Sequence, residues 1–352
     1  MKDLFLDCNA HIPISEKAKE AIDKFNNSTA SFGNPNAPNL PGREASKIIE
    51  ECRIKIMNLL HGDSKGMLIF TNSATQAAEW GMEILKKISF KNTYINPIEH
   101  SSILSAYNKN FTEKLLPLKD NFEPNLDKIS EDNIICTTIQ NESGIYNTFN
   151  NFSGNLLFSD LTQAIGKVKV DLSKFDIAIF GSHKFGGPGN VGFLYLKNKN
   201  LWSSFGTGTR YGFDRAGTLD VSSIVGATAA LEESLDTFPQ RFYNMINFSS
   251  TLENYLFDKF TIVGKNAKRC HSTTLFEIPI NSFEFLHEME KRKIYIGLGS
   301  ACGTVTGHSN LLKLIHDDYE SRNFIRISQD GRYNETDAYI VINAIKEILK
   351  LG

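Results

Sequence analysis

The sequence predicts an α/β protein with a mainly parallel central sheet, helices on both faces, and a smaller α+β domain. Two observations carry the prediction. Short apolar runs alternate with longer helical patterns over residues 60–200. Those runs are continuously apolar rather than alternating, as strands covered on both faces require. The 352 residues also exceed one minimal domain. We assign residues 12–240 to a large domain, and 1–11 with 241–352 to a small one.

The elements follow in order. Residues 15–26 read as a helix capped by Ser15, and 43–60 as a helix stopped by Gly62. Strands are expected at Met67–Thr71, Thr93–Asn96, Ile134–Thr138, Leu156–Ser159, Ile177–Phe180 and Val191–Leu196. Further helices are expected at 74–87, 223–235, 239–258 and 335–350. Asn334 and Asp337 form a capping-box pattern before the last of these.

Bulk properties exclude several classes. A formal net charge of −2 gives no reason to expect nucleic acid or an anionic membrane as partner. No window approaches the ~18 apolar residues of a membrane span. The stretch Met1 to Asp7 is interrupted by acids and has no signal-peptide core, so we read the protein as cytoplasmic. The five cysteines, Cys8, Cys52, Cys136, Cys270 and Cys302, are odd in number and lack Cys-x-x-Cys spacing. That argues against a disulfide framework or a structural zinc site, and no metal is assigned.

Ligands of parallel sheets sit at the carboxyl ends of the strands, so the residues there matter most. After Met67–Thr71 come Asn72, Ser73, Ala74 and Thr75, then a helix. Such a start is a plain N-cap at Ser73 or Thr75, or an anion site made by free backbone N–H groups and the helix dipole. Asp160 ends the run Leu156–Ser159, with Gln163 three residues on. It is a turn residue, or the holder of a cationic ring nitrogen. Lys184 follows a buried strand and precedes Gly186, Gly187 and Gly189. A lone lysine is usually a solvated charge, but this placement suits a Schiff-base lysine. Gly187 to Gly192 satisfies G-x-G-x-x-G, yet it runs into a strand rather than opening a helix, so it is no dinucleotide loop. Cys302 lies in the small-residue stretch Gly297 to Gly303, which suits a mobile, exposed thiolate.

Taken together, Ala74-Thr75, Asp160-x-x-Gln163, Ser182-His183-Lys184 and Arg215-Ala216-Gly217-Thr218 resemble the motifs of class V aminotransferases, the fold-type I pyridoxal-phosphate enzymes. Within them the chain is most similar to the cysteine desulfurases. The likeness runs from Leu6-Asp7-Cys8-Asn9-Ala10 through Phe32-Gly33-Asn34-Pro35, Glu99-His100 and Gln140-Asn141-Glu142-Ser143-Gly144. It ends at Gly299-Ser300-Ala301-Cys302 and Ile325-Arg326-Ile327-Ser328.

The resemblance implies roles. Lys184 would hold pyridoxal 5′-phosphate as a Schiff base and move the substrate Cα proton. Asp160 would pair with the ring nitrogen and Gln163 with the ring oxygen. His100 would stack on the ring and assist proton transfer, and Asn141 would touch the ring edge or substrate. Ala74, Thr75, Ser182 and His183 would bind the phosphate. Thr218 would reach it from a second subunit, implying a homodimer. Arg326 would pair with the substrate carboxylate, and Asn34 would sit at the mouth. Cys302 would accept sulfur from L-cysteine as a persulfide and deliver it to a sulfur-acceptor protein, as in iron–sulfur cluster assembly.

The chain departs from the pattern at His11, usually threonine, and at Gly181, where relatives place a phosphate-binding serine that Ser182 would replace. It also departs at Thr209 and within Asn36 to Pro41. Two other readings stand beside the desulfurase: a class V aminotransferase or lyase in which Cys302 is incidental, and a catalytically degenerate binding or scaffold subunit.

Overall fold

The computed structural model describes residues 2–203, 217–299, 309–316, 318 and 322–351. Cys302, Thr209 and Arg215 lie outside them. The large sheet contains β2 (Met67–Thr71), β3 (Thr93–Ile95), β4 (Asn133–Ile135), β5 (Leu157–Asp160), β6 (Ile177–Gly181) and β7 (Gly192–Leu196), in the order β2-β7-β6-β5-β4-β3. β3 to β6 pair in parallel, while β7 runs antiparallel to both its neighbours. The reason is reach. A parallel return needs a crossover of a dozen or more residues, and only residues 182–191 separate β6 from β7. That short return carries Lys184.

Side chains alternate across the sheet, and both faces are covered. Ile177 and Ile179 of β6 meet α3 (Ala74–Ile88) and α4 (Ser101–Asn110) on one side. Ala178 and Phe180 face the other core, shared with α1 (Glu16–Asn26), α2 (Leu40–Leu59) and α6 (Val221–Asp236). There Phe180 stacks on Phe193 with ring centroids 4.5 Å apart. α5 (Asn200–Ser203) follows β7. Continuous apolar runs are thus explained by burial on two sides.

The second sheet has the order β1-β9-β10-β8, from β1 (Leu4–Leu6), β8 (Thr273–Glu277), β9 (Ile294–Leu298) and β10 (Phe324–Ser328). β1 pairs parallel with β9, and β10 pairs antiparallel with β8 and β9. Its core takes in α7 (Phe238–Leu256), α8 (Ser282–Lys291) and α10 (Glu335–Leu349). The short α9 (Asn310–Ile315) packs against Leu275 and Phe324.

Local signals mostly did as expected. Ser15 Oγ accepts from the Ala18 N–H, and Asn334 and Asp337 form the reciprocal capping box. The end of α2 differs. The left-handed residue is His61, with φ 53°, and Gly62 instead donates its N–H to the Met57 carbonyl at 2.8 Å. The glycine closes the turn without taking the positive φ usually reserved for it.

Candidate active site

The residues that follow β5 and β6 meet the segment 7–12 that leaves β1. Lys184 sits in a short turn after β6, and its Nζ donates to the carbonyls of Asn9 and Ala10, each at 2.5 Å. The N-terminal segment therefore lies against the amine. The Ile12 N–H donates to the His183 carbonyl at 3.0 Å and fixes that contact.

Asp160 stands at the end of β5, where its Oδ1 accepts the Thr162 N–H at 2.8 Å. Burial raises its pKa, opposed by the Thr162 hydrogen bonds and by the charges of His100 and Lys184. Behind it lies Glu99, whose Oε1 accepts the Thr137 N–H and whose Oε2 is buried without a partner. Burial holds Glu99 well above the usual carboxylate range, and the Asp160 charge adds to this. Of the two carboxylates, Asp160 is the member facing Lys184.

α3 begins beside this lysine. Ser73 is its N-cap, taking the Gln76 N–H, so the plain-cap reading holds for that serine. The first N–H groups of the helix, at Ala74 and Thr75, are those an α-helix leaves without internal partners. His183 packs at the same end: a Cβ placed on Gly181 would lie 3.2 Å from the His183 ring and 3.5 Å from Ala74 Cβ. Glycine here leaves the imidazole its space. Burial lowers His183 to about 4, helped by Lys184 and His11, so the ring is neutral at physiological pH. His183 Nδ1 is buried and unpartnered, and His11 stacks on the ring at 5.8 Å. Two departures from the family pattern, His11 and Gly181, thus converge on one imidazole.

One expected ligand is corrected. Ser182 is fully buried, and its hydroxyl donates to the carbonyls of Pro188 and Val191. It has one proton, spent inside its own turn, so it does not replace the missing serine at position 181.

His100 caps α4. Its Nδ1 accepts the Ser102 N–H at 3.2 Å. Gln163 donates Nε2 to the Asn9 carbonyl at 3.0 Å. Asn141 accepts the Asn9 side-chain amide at its carbonyl, 2.9 Å. Arg326, only 1% exposed, reaches Asp7 Oδ1 at 2.7 Å and the Asn141 carbonyl at 3.3 Å, and its Nε is unpartnered. Asp7 thus balances the charge expected to meet a substrate carboxylate. Asn34 and Thr218 are exposed. Asn34 turns its side chain to the Asn36 N–H, and neither residue is hydrogen-bonded to this cluster among the described residues.

Sequence reasoning passed over Asp7 as the partner of Arg326, Glu142 beside it, and Lys167. The signal for Asp7 and Glu142 was present, since both lie in motifs already singled out. A buried lysine carries none.

The donor set suits a group with an anion at one end and a ring cation at the other. An unpartnered imidazole nitrogen and a helix start serve the anion; Asp160 serves the cation, and a lysine amine lies between. Fold and site together place the protein among the fold-type I enzymes. The chain belongs to the aminotransferase class V family, whose model matches residues 4–338, and that family works with pyridoxal phosphate. It is similar to a candidate NifS cysteine desulfurase of Halalkalibacterium halodurans, 30% identical over 251 residues, 66% of either chain. It is also similar to the cysteine desulfurase IscS of Rickettsia felis, 27% identical over 73% of this chain and 66% of that one. A candidate NifS of Bacillus subtilis is 28% identical over 92% of this chain and 89% of its own length. A solved NifS-like protein superposes over 100% of both chains with TM-score 0.84 at 24% identity. It shows the fold.

Proposed function

We propose that the protein is a cysteine desulfurase, converting L-cysteine to L-alanine while its sulfur passes to Cys302. The observation that carries the reading is the meeting of Lys184, Asp160, His183 and the start of α3 at the carboxyl end of the sheet, with Arg326 on the small-sheet side. Pyridoxal phosphate, when bound, supplies an electron sink next to the Cα of an amino acid.

The remaining work belongs to the chain. Asp160 holds the ring nitrogen protonated, and Gln163 meets the ring oxygen. The N–H groups of Ala74 and Thr75, with His183, hold the phosphate. Arg326 takes the substrate carboxylate, turning part of its guanidinium from Asp7. Asn141 lines the substrate side, His100 covers the ring face, and Asn34 stands at the entrance. Lys184 Nζ removes the Cα proton, a role served by its two carbonyl partners, which orient the amine. The Cys302 thiolate takes the sulfur, so that cysteine and thiol become alanine and persulfide with no oxidant consumed. Thr218, exposed just before α6, meets the phosphate of a second copy in a homodimer, and a sulfur-acceptor protein relieves Cys302.

The test is alanine and sulfide release from L-cysteine by cofactor-loaded protein, wild type against Cys302→Ala. Stoichiometric alanine lost in the variant, with the visible cofactor band retained, is expected. Equal activity in both moves the reading to an aminotransferase or another lyase.

A further inference from the structure

Lys167 is buried, 1% exposed, at the turn that follows Gln163. Its Nζ donates to Asn9 Oδ1 at 2.8 Å and to Gln163 Oε1 at 2.5 Å. Both partners are neutral amides. An ammonium group has donors and no acceptor, so any amide bonded to it must present oxygen and turn its nitrogen away. For Gln163 the nitrogen then faces the Asn9 carbonyl, one N–H remaining over. For Asn9 the nitrogen faces the Asn141 carbonyl and Thr273 Oγ1 at 2.8 Å. Asn9 in turn supplies one of the two carbonyls on Lys184. Amide oxygen and nitrogen are nearly equal in shape, and packing alone does not choose between them.

We propose that Lys167 is a positioning residue, its charge fixing which way the Gln163 and Asn9 amides face, so that Gln163 offers the cofactor ring oxygen a donor and not an acceptor. The assignment rests on the pyridoxal-phosphate reading above. Burial pulls Lys167 to about 8, still protonated at neutral pH; nearby Asp330 favours its charge and Arg326 opposes it. A neutral amine at that place would accept as readily as donate, and the orientation would be lost.

The test compares the pH titration of the visible band in cofactor-loaded wild type, Lys167→Met, Gln163→Leu and the double variant. Lys167→Met is expected to move the midpoint by roughly one pH unit, the size of one charge-assisted hydrogen bond. The shift has the same direction as that of Gln163→Leu, and the double variant moves no further than Gln163→Leu alone. Lys167→Arg, which keeps the donors, returns the midpoint toward wild type. In cofactor-free protein, amide exchange at residues 9–11 is expected to quicken in Lys167→Met. Should that variant not fold, Lys167→Gln carries the same comparison. An unchanged band in Lys167→Met beside a shifted one in Gln163→Leu overturns the assignment, as do additive shifts. Wild type with no visible band after loading overturns the cofactor reading itself, and this one with it.

Discussion

Glu142 gives the prediction with the clearest sign. It is buried beside Arg326 and His100, and its Oε2 accepts the Ser309 hydroxyl at 2.5 Å. Burial pushes its pKa from 4.5 up to about 7, opposed first by the Ser309 bond and then by Arg326 and His100. The folded state therefore keeps the proton after the unfolded chain has lost it. Its contribution to stability is complete below about pH 4.5 and is lost as pH rises through about 7. The gap between 4.5 and about 7, at about 1.4 kcal/mol per pH unit, amounts to about 3 kcal/mol. Glu142→Gln keeps shape and an acceptor for Ser309 and removes the titration. Urea unfolding of both proteins in the same cofactor state, from pH 5 to pH 8.5, checks it. Relative to wild type, the variant should gain about 3 kcal/mol across that range. Parallel stability curves would refute the reasoning, because they would mean that Glu142 titrates alike folded and unfolded.

Other outcomes follow from the same geometry. Lys184→Ala should abolish the visible band of loaded protein, read by absorbance after dialysis. Asp160→Ala should weaken cofactor retention at least tenfold, read by equilibrium dialysis, since it removes the carboxylate that faces Lys184 from the end of β5. Asp7→Ala strips a buried guanidinium of its balancing charge and should cost about 3 kcal/mol in urea unfolding. Phe193→Ala removes the ring stacked on Phe180 and should cost about 3–5 kcal/mol by the same measurement.

The large sheet was legible because its strands are apolar on two faces, a signal local to each run. Strand ends then exposed Asp160 and Lys184 as the residues to watch. The small sheet was not read from periodicity. β1 has only three residues and finds its partner at residues 294–296, a pairing no local window contains. α4 hid for another reason: Ser101, Ser102, Asn108 and Asn110 are poor helix residues, and the helix is held by Ile103, Ala106 and Tyr107 against the sheet. Lys167 was illegible because burial of a lysine is decided by tertiary neighbours, here Asn9 and Gln163, and leaves no mark on the sequence around it. Ser182 misled for the converse reason. Its position suggested a ligand, while the carbonyls of a ten-residue turn claimed its proton.

The carbonyls of Asn9 and Ala10 rest on Lys184, and the strand that carries them there pairs with β9. During synthesis the ribosome delivers Lys184 more than a hundred residues before β9 is complete. Until then β1 has no neighbour, and the amine waits without its collar. Long-range pairings of this kind form late. How that amine is held is therefore tied, through β1, to a strand supplied by the last quarter of the chain.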